Sequence, residues 1–249
     1  MSKVYLITGA GHFPGIGSCL AEYLLHTDQC VVINSRSFDQ KWSDLKKSYP
    51  NNLRIVEGDI TDSQIQDKFI KTAIDSWNRI DTLVNNAGKV TTNPPDRNEW
   101  AEEFLLSVTV PYELSIKSAE YLKSANGSII MIGSRSGIQV AQKNTNNDIA
   151  HSIAKTAMHQ LAKYLSVMLC PDIRVNVVAP GMFETSRHDI RYTKDEQALI
   201  KQRFINSALI NGTVSADGII STILFLANNP NITGQLIPVC NGTTVHKKS

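Results

Sequence analysis

No apolar run in this sequence approaches the roughly 20 residues needed to cross a bilayer, so no spanning helix is expected. Cysteine is scarce. Cys19, Cys30, Cys170 and Cys240 lie far apart with no C-x-x-C pair, which excludes a disulfide framework and a zinc knuckle. Charge of one sign is also missing: the formal net charge is +2, and basic residues are scattered apart from the tail His246-Lys247-Lys248. A nucleic-acid surface needs a concentrated basic patch, so that class of partner is excluded. No repeat, low-complexity stretch or linker interrupts the chain. Met1 leads directly into the apolar Val4-Tyr5-Leu6-Ile7 without a cleavage-site pattern. These absences together predict a cytoplasmic protein that works on neither membrane nor nucleic acid.

What is present is a balance of 42% hydrophobic and 19% charged residues over 249 positions, enough for one substantial core. A single domain over residues 1–249 is expected. Strand candidates are Val4–Thr8, Cys30–Asn34, Leu53–Glu57, Thr82–Asn85, Ser128–Ile132, Arg174–Val178 and Gln235–Val239. Several, such as Ser-Ile-Ile-Met-Ile at 128–132, are continuously apolar, the pattern of parallel strands covered on both faces. Helical periodicity separates them: Leu20, Tyr23 and Leu24 share one face, and Ile153, Ala157, Leu161 and Leu165 another. Alternation of this kind predicts an α/β, doubly wound parallel sheet of about seven strands with helices on both faces. Thr91–Asn98 and Lys143–Asp148 read as loops, and residues 181–211 as a segment able to cover a site.

The first strand ends in Thr8-Gly9-Ala10-Gly11-His12-Phe13-Pro14-Gly15-Ile16-Gly17, followed by a helix. Glycines there allow a tight turn and close approach of backbone to a pyrophosphate, and a helix N-terminus supplies oriented N–H groups. Taken alone, such a turn is as often plain strand–helix punctuation. Two further motifs follow in order: Asn85-Asn86-Ala87-Gly88 after the fourth strand and Pro180-Gly181 after the sixth. Taken together, the set resembles the short-chain dehydrogenase/reductase family over essentially the whole chain. Two additional residues separate Gly9 from Gly15 and are expected to bulge outward.

The resemblance implies a Rossmann-like domain and a nicotinamide cofactor held by Gly9, Gly15, Ile16, Gly17, Asp59, Ile60, Asn86, Ala87, Gly88, Lys155, Pro180, Gly181 and Thr185. The second strand ends without the carboxylate that would hydrogen-bond a ribose 2′-hydroxyl. Ser35 and Arg36 stand there instead, and a guanidinium suits a 2′-phosphate, so NADP(H) is expected over NAD(H).

The family moves hydride between nicotinamide and a carbonyl, with a serine holding the substrate oxygen and a tyrosine–lysine pair moving the proton. Ser134 stands at the serine position and Lys155 at the lysine position. The tyrosine position, four residues earlier on the same helix face, is His151, and the family's asparagine position is Ser107. Histidine can carry protons near neutral pH. Imidazole reaches roughly 2 Å less far than a phenol, and a misplacement of about 1 Å can cost on the order of a hundredfold. The expected function is therefore NADP(H)-dependent reduction of a carbonyl or C=N group of a small molecule through an atypical site. The alternative is a catalytically weak or inactive NADP(H)-binding sensor or partner subunit. Met182, Phe183 and Tyr192 are the expected substrate residues. No metal is expected, since no histidine has a partner at ligand spacing. The family's habits imply a homodimer or homotetramer.

Overall fold

The computed structural model describes residues 2–89, 95–139, 149–185 and 193–245. Seven strands form one sheet: β1 (Val4–Thr8), β2 (Cys30–Ser35), β3 (Leu53–Glu57), β4 (Thr82–Asn85), β5 (Ser128–Ile132), β6 (Arg174–Pro180) and β7 (Leu236–Val239). All pairings are parallel and the order is β3-β2-β1-β4-β5-β6-β7. Chain order therefore reverses between β1 and β4. A crevice opens there at the carboxyl ends of the strands, where ligands of such sheets bind.

Strand alternation sends each neighbouring side chain to an opposite face. Tyr5 and Ile7 of β1 join one core with Leu20, Leu24, Val31, Ile33, Trp42 and Ile223. Val4 and Leu6 join the other with Phe69, Leu83, Leu114, Met131, Met158 and Leu165. The first face is covered by α1 (Ile16–His26), α2 (Lys41–Ser48), α8 (Lys194–Ser207) and α9 (Ala216–Asn228). The second is covered by α3 (Ser63–Trp77), α5 (Val110–Lys117) and α7 (Ile149–Met168). Burial on both faces explains the uninterrupted apolar strands. Among the described residues, no helix is long and apolar enough to cross a membrane.

The helix carrying Ser107 differs from a regular one. After α4 (Arg97–Phe104) comes a π turn, Leu105–Thr109, and then α5. Val110 donates its N–H to the Leu105 carbonyl, five residues back. Pro111 has no N–H for the Ser107 carbonyl, so the regular ladder fails at that point and the turn widens.

Candidate active site

The glycine turn is built around close approach. Gly9 has φ +68°, and a Cβ on it would lie 2.6 Å from the Ala87 Cα; one on Gly17 would lie 2.5 Å from the Asn86 side-chain nitrogen. Both glycines are needed because the β4 loop presses on the turn. Thr8 Oγ1 accepts from the Asn86 and Ala87 N–H groups at 3.0 and 2.9 Å, and Asn86 Nδ2 donates to the Thr8 and Gly9 carbonyls. Gly15 caps α1 with no side-chain hydrogen bond, so no side chain competes for the first N–H groups of that helix. A glycine cradle and an uncapped helix start fit a dinucleotide pyrophosphate.

The inserted pair does not bulge outward. It folds down onto the loop after β2, because Asp39 draws it there. His12 Nδ1 meets Asp39 at 2.7 Å, and Phe13 donates its N–H to the same carboxylate at 2.6 Å. Against a desolvation that would raise it, these bonds hold the Asp39 carboxyl below its ordinary range. The Phe13 ring packs on Trp42, whose Nε1 donates to the Gly11 carbonyl. His12 Nε2 reaches Ser37 Oγ at 3.0 Å, and Ser35 faces Gly11. Ser35 and exposed Arg36 thus lie beside a brace running from the phosphate turn to the β2 end. Asp59 accepts from Thr61, and the Ile60 side chain is turned into the core.

At the end of β5, Ser134 Oγ accepts from the Ser136 N–H at 3.1 Å, capping the short turn Arg135–Gly137. Its O–H remains able to donate. The Ser134 N–H points at His159 Nε2, 3.4 Å away. Burial, followed by the nearby Lys155 ammonium, pushes His159 down to about 4, so this ring is a neutral acceptor. Lys155 is buried and donates to the Ile132 carbonyl at 2.9 Å, which fixes it beneath the same strand end.

His151 and Ser107 meet on one carboxylate. Glu103, fully buried, accepts from Ser107 Oγ at 3.2 Å and lies 2.8 Å from His151 Nδ1. Desolvation would raise the Glu103 carboxyl, but the His151 hydrogen bond and charge, with Lys155 behind them, hold it below its ordinary value. An ionised carboxylate only accepts, so Nδ1 carries the proton toward Glu103 and Nε2 is the ring nitrogen left for a ligand. The His151 side chain is 26% exposed, so that nitrogen's ring remains reachable from the crevice.

A family model described as enoyl-(acyl carrier protein) reductase matches residues 9–244. The chain belongs to the short-chain dehydrogenase/reductase family. A Caenorhabditis elegans relative, dehydrogenase/reductase SDR family member 4, is 27% identical over 96% of this chain and 94% of its own. An apo SCOR enzyme from Clostridium thermocellum superposes with a TM-score of 0.82 at 26% identity, covering 100% of this chain and 96% of that one. The NADP-bound structure of ElxO superposes with 0.84 at 24% identity, covering 99% and 100%.

Within this short-chain dehydrogenase/reductase, the four residues expected to act together are joined in two linked pairs. Ser134 and Lys155 meet through the β5 end and His159, while His151 and Ser107 meet through Glu103. Sequence reasoning missed Glu103. Its one signal was the i, i+4 spacing to Ser107. His159, without a partner at metal-ligand spacing in the sequence, backs the Ser134 loop: Cβ atoms on Gly133 or Gly137 would collide with its ring. Pro180 and Gly181 end β6, where Gly181 lies against Cys240 and the Phe204 ring. Met182 and Phe183 pack partly buried beside that core, with Thr185 just beyond. Tyr192 lies outside the described residues. No group of three or more potential metal ligands occurs among the described residues.

Proposed function

We propose that this chain is an NADP(H)-dependent reductase of a small carbonyl or C=N compound, with His151 as the proton donor. The carrying observation is the Glu103 bridge. A buried carboxylate is costly unless paired, and this one is paired with the two positions where the family pattern is broken. The replacements thus form one unit, which argues against the alternative of a decayed sensor or partner subunit.

The glycine turn, Asn86-Ala87-Gly88, Asp59, Ile60 and Pro180-Gly181-Thr185 would hold the dinucleotide, with Ser35 and Arg36 at a 2′-phosphate. The nicotinamide supplies hydride chemistry when bound. Lys155 orients the ribose side of the site, and Ser134 donates its O–H to the substrate oxygen or nitrogen. Glu103 accepts from Nδ1–H, so the imidazolium form of His151 presents Nε2–H as the proton given up and is left as the Nδ1–H tautomer. Met182, Phe183 and Tyr192 would shape the substrate side. A C=N substrate suits the site further, since an iminium arrives already protonated.

The deciding experiment titrates the protein with NADPH and NADH, then follows NADPH oxidation against ketones, quinones, imines and dihydropteridines. NADPH is expected to bind more tightly than NADH, and at least one class should turn over. Tight binding with no turnover by any class would transfer support to the sensor reading. We further propose a homodimer or homotetramer, placed in the cytoplasm, as one domain. Ile149, Ile153, Tyr164 and Val167 form an exposed apolar stripe on α7, with Tyr112 and Ile116 exposed on α5. Sedimentation should give two or four subunits. A monomer at micromolar concentration would refute this.

A further inference from the structure

Four arginines among the described residues are half-buried: Arg54, Arg79, Arg135 and Arg174. Three have their donors used. Arg79 forms a fork on Asp81, Arg174 donates to the carbonyls of Leu226, Ala227 and Asn229, and Arg54 donates to Ser76, Pro50 and Leu53. The fourth is different. Arg135 has its guanidinium carbon 5.3 Å from the centre of the Phe204 ring, and its guanidinium has neither a hydrogen bond nor an ion pair among the described residues.

Its place is the carboxyl end of the sheet, just past β5. Arg135 follows Ser134 directly, but Ser134 is extended and the Arg135 side chain runs toward Phe204 of α8. The Phe204 ring in turn lies against Gly181 at the end of β6, beside Cys240 just past β7. Burial pushes the guanidinium below its ordinary value, with only the negative charge of an ionised Cys240 opposing. A charge in this condition favours an anion, and a flat guanidinium backed by a ring presents its edge for a two-point contact. Among the described residues no second cation acts on it, which suits a single negative charge.

Building on the reductase reading, we infer that Arg135 binds a carboxylate of the substrate, which is an oxo acid or its C=N analogue. The reacting carbon lies at Ser134 and the carboxylate lies along the crevice over Phe204. The two groups sit at opposite ends of a short molecule. This residue binds and selects; it moves no proton.

The test uses levulinate and methyl levulinate, two ketones that share a carbon skeleton and differ by the negative charge and one ester methyl. Binding to the NADPH-loaded protein is read by saturation-transfer NMR, and NADPH oxidation is read in parallel. Levulinate should bind better than its ester by about tenfold or more, the usual worth of a hydrogen bond to a charged group. Arg135→Met should erase that preference, and Arg135→Lys should keep part of it. Thermal melting of Arg135→Met should be unchanged or raised, since an unpaired charge is removed. The inference is overturned if levulinate does not bind, binds no better than the ester, or keeps its advantage in Arg135→Met. A marked drop in the melting temperature of Arg135→Met would also overturn it, by assigning the guanidinium to packing on Phe204. Levulinate bound without NADPH oxidation by any substrate would instead sink the reductase reading and leave the carboxylate site standing.

Discussion

Glu103→Gln should lower kcat about 10²- to 10⁴-fold, the range for a positioned acid–base group, while NADPH affinity changes far less. The carboxylate accepts from Nδ1 and so fixes which ring nitrogen faces the substrate. An amide can instead donate to Nδ1, which would put the proton on Nε2 by tautomer exchange but leave no negative charge for the imidazolium. Glu103→Asp, one methylene shorter, should recover part of the rate. Two readouts separate this from a structural role: the loss falls on kcat rather than on KM, and ¹⁵N NMR of His151 shows the Nδ1–H tautomer in the native chain but not in Glu103→Gln. A threefold or smaller change in kcat, with the tautomer already mixed in the native chain, would remove Glu103 from the mechanism.

The second large effect is on stability. His159 is held neutral in the folded state down to about 4, against an ordinary 6.5. The unfolded chain therefore takes up a proton at this ring before the folded chain does. Stability rises with pH wherever the unfolded state binds more protons, so the neutral ring's contribution is complete above pH 6.5 and is lost as pH falls toward 4. The shift corresponds to roughly 3 kcal/mol at most. Urea denaturation at several pH values should show native stability falling across this window and His159→Gln falling less. Parallel curves for the two proteins would refute the assignment. Glu103 acts in the same direction but lower, since its folded carboxyl is held below the ordinary carboxylate value.

Much of the architecture was legible in the sequence because strands buried on both faces have few alternatives. β2 and β6 run one and two residues longer than the apolar pattern predicts, and β7 starts one later, since polar Ser35 and Pro180 still pair at strand ends. Of the candidate site, motifs pointed to Ser134, Lys155 and the glycines, which the fold gathers at the carboxyl end of the sheet. No motif pointed to Glu103. It sits in Asn98-Glu99-Trp100-Ala101-Glu102-Glu103, where three carboxylates read alike as a solvated face. Glu99 closes the capping box of α4 and Glu102 pairs with Lys89, and only α7 packing over α4 tells the third apart. The course of the inserted turn was hidden for a similar reason. Its partner, Asp39, is supplied by a loop that sequence alone does not place against it.

The bridge through Glu103 also limits how this active site can change. Exchanging His151 alone for the family's tyrosine would leave a charge with no solvent access, one oxygen already unpartnered and the Ser107 hydroxyl as the other oxygen's remaining donor. Breaking a buried pair in this way costs about 3–5 kcal/mol, a large part of a domain's net stability. Passage between the two kinds of site is therefore epistatic. Positions 103, 107 and 151 must be inherited together, and a chain caught with only one of them altered pays in folding before it can gain in chemistry.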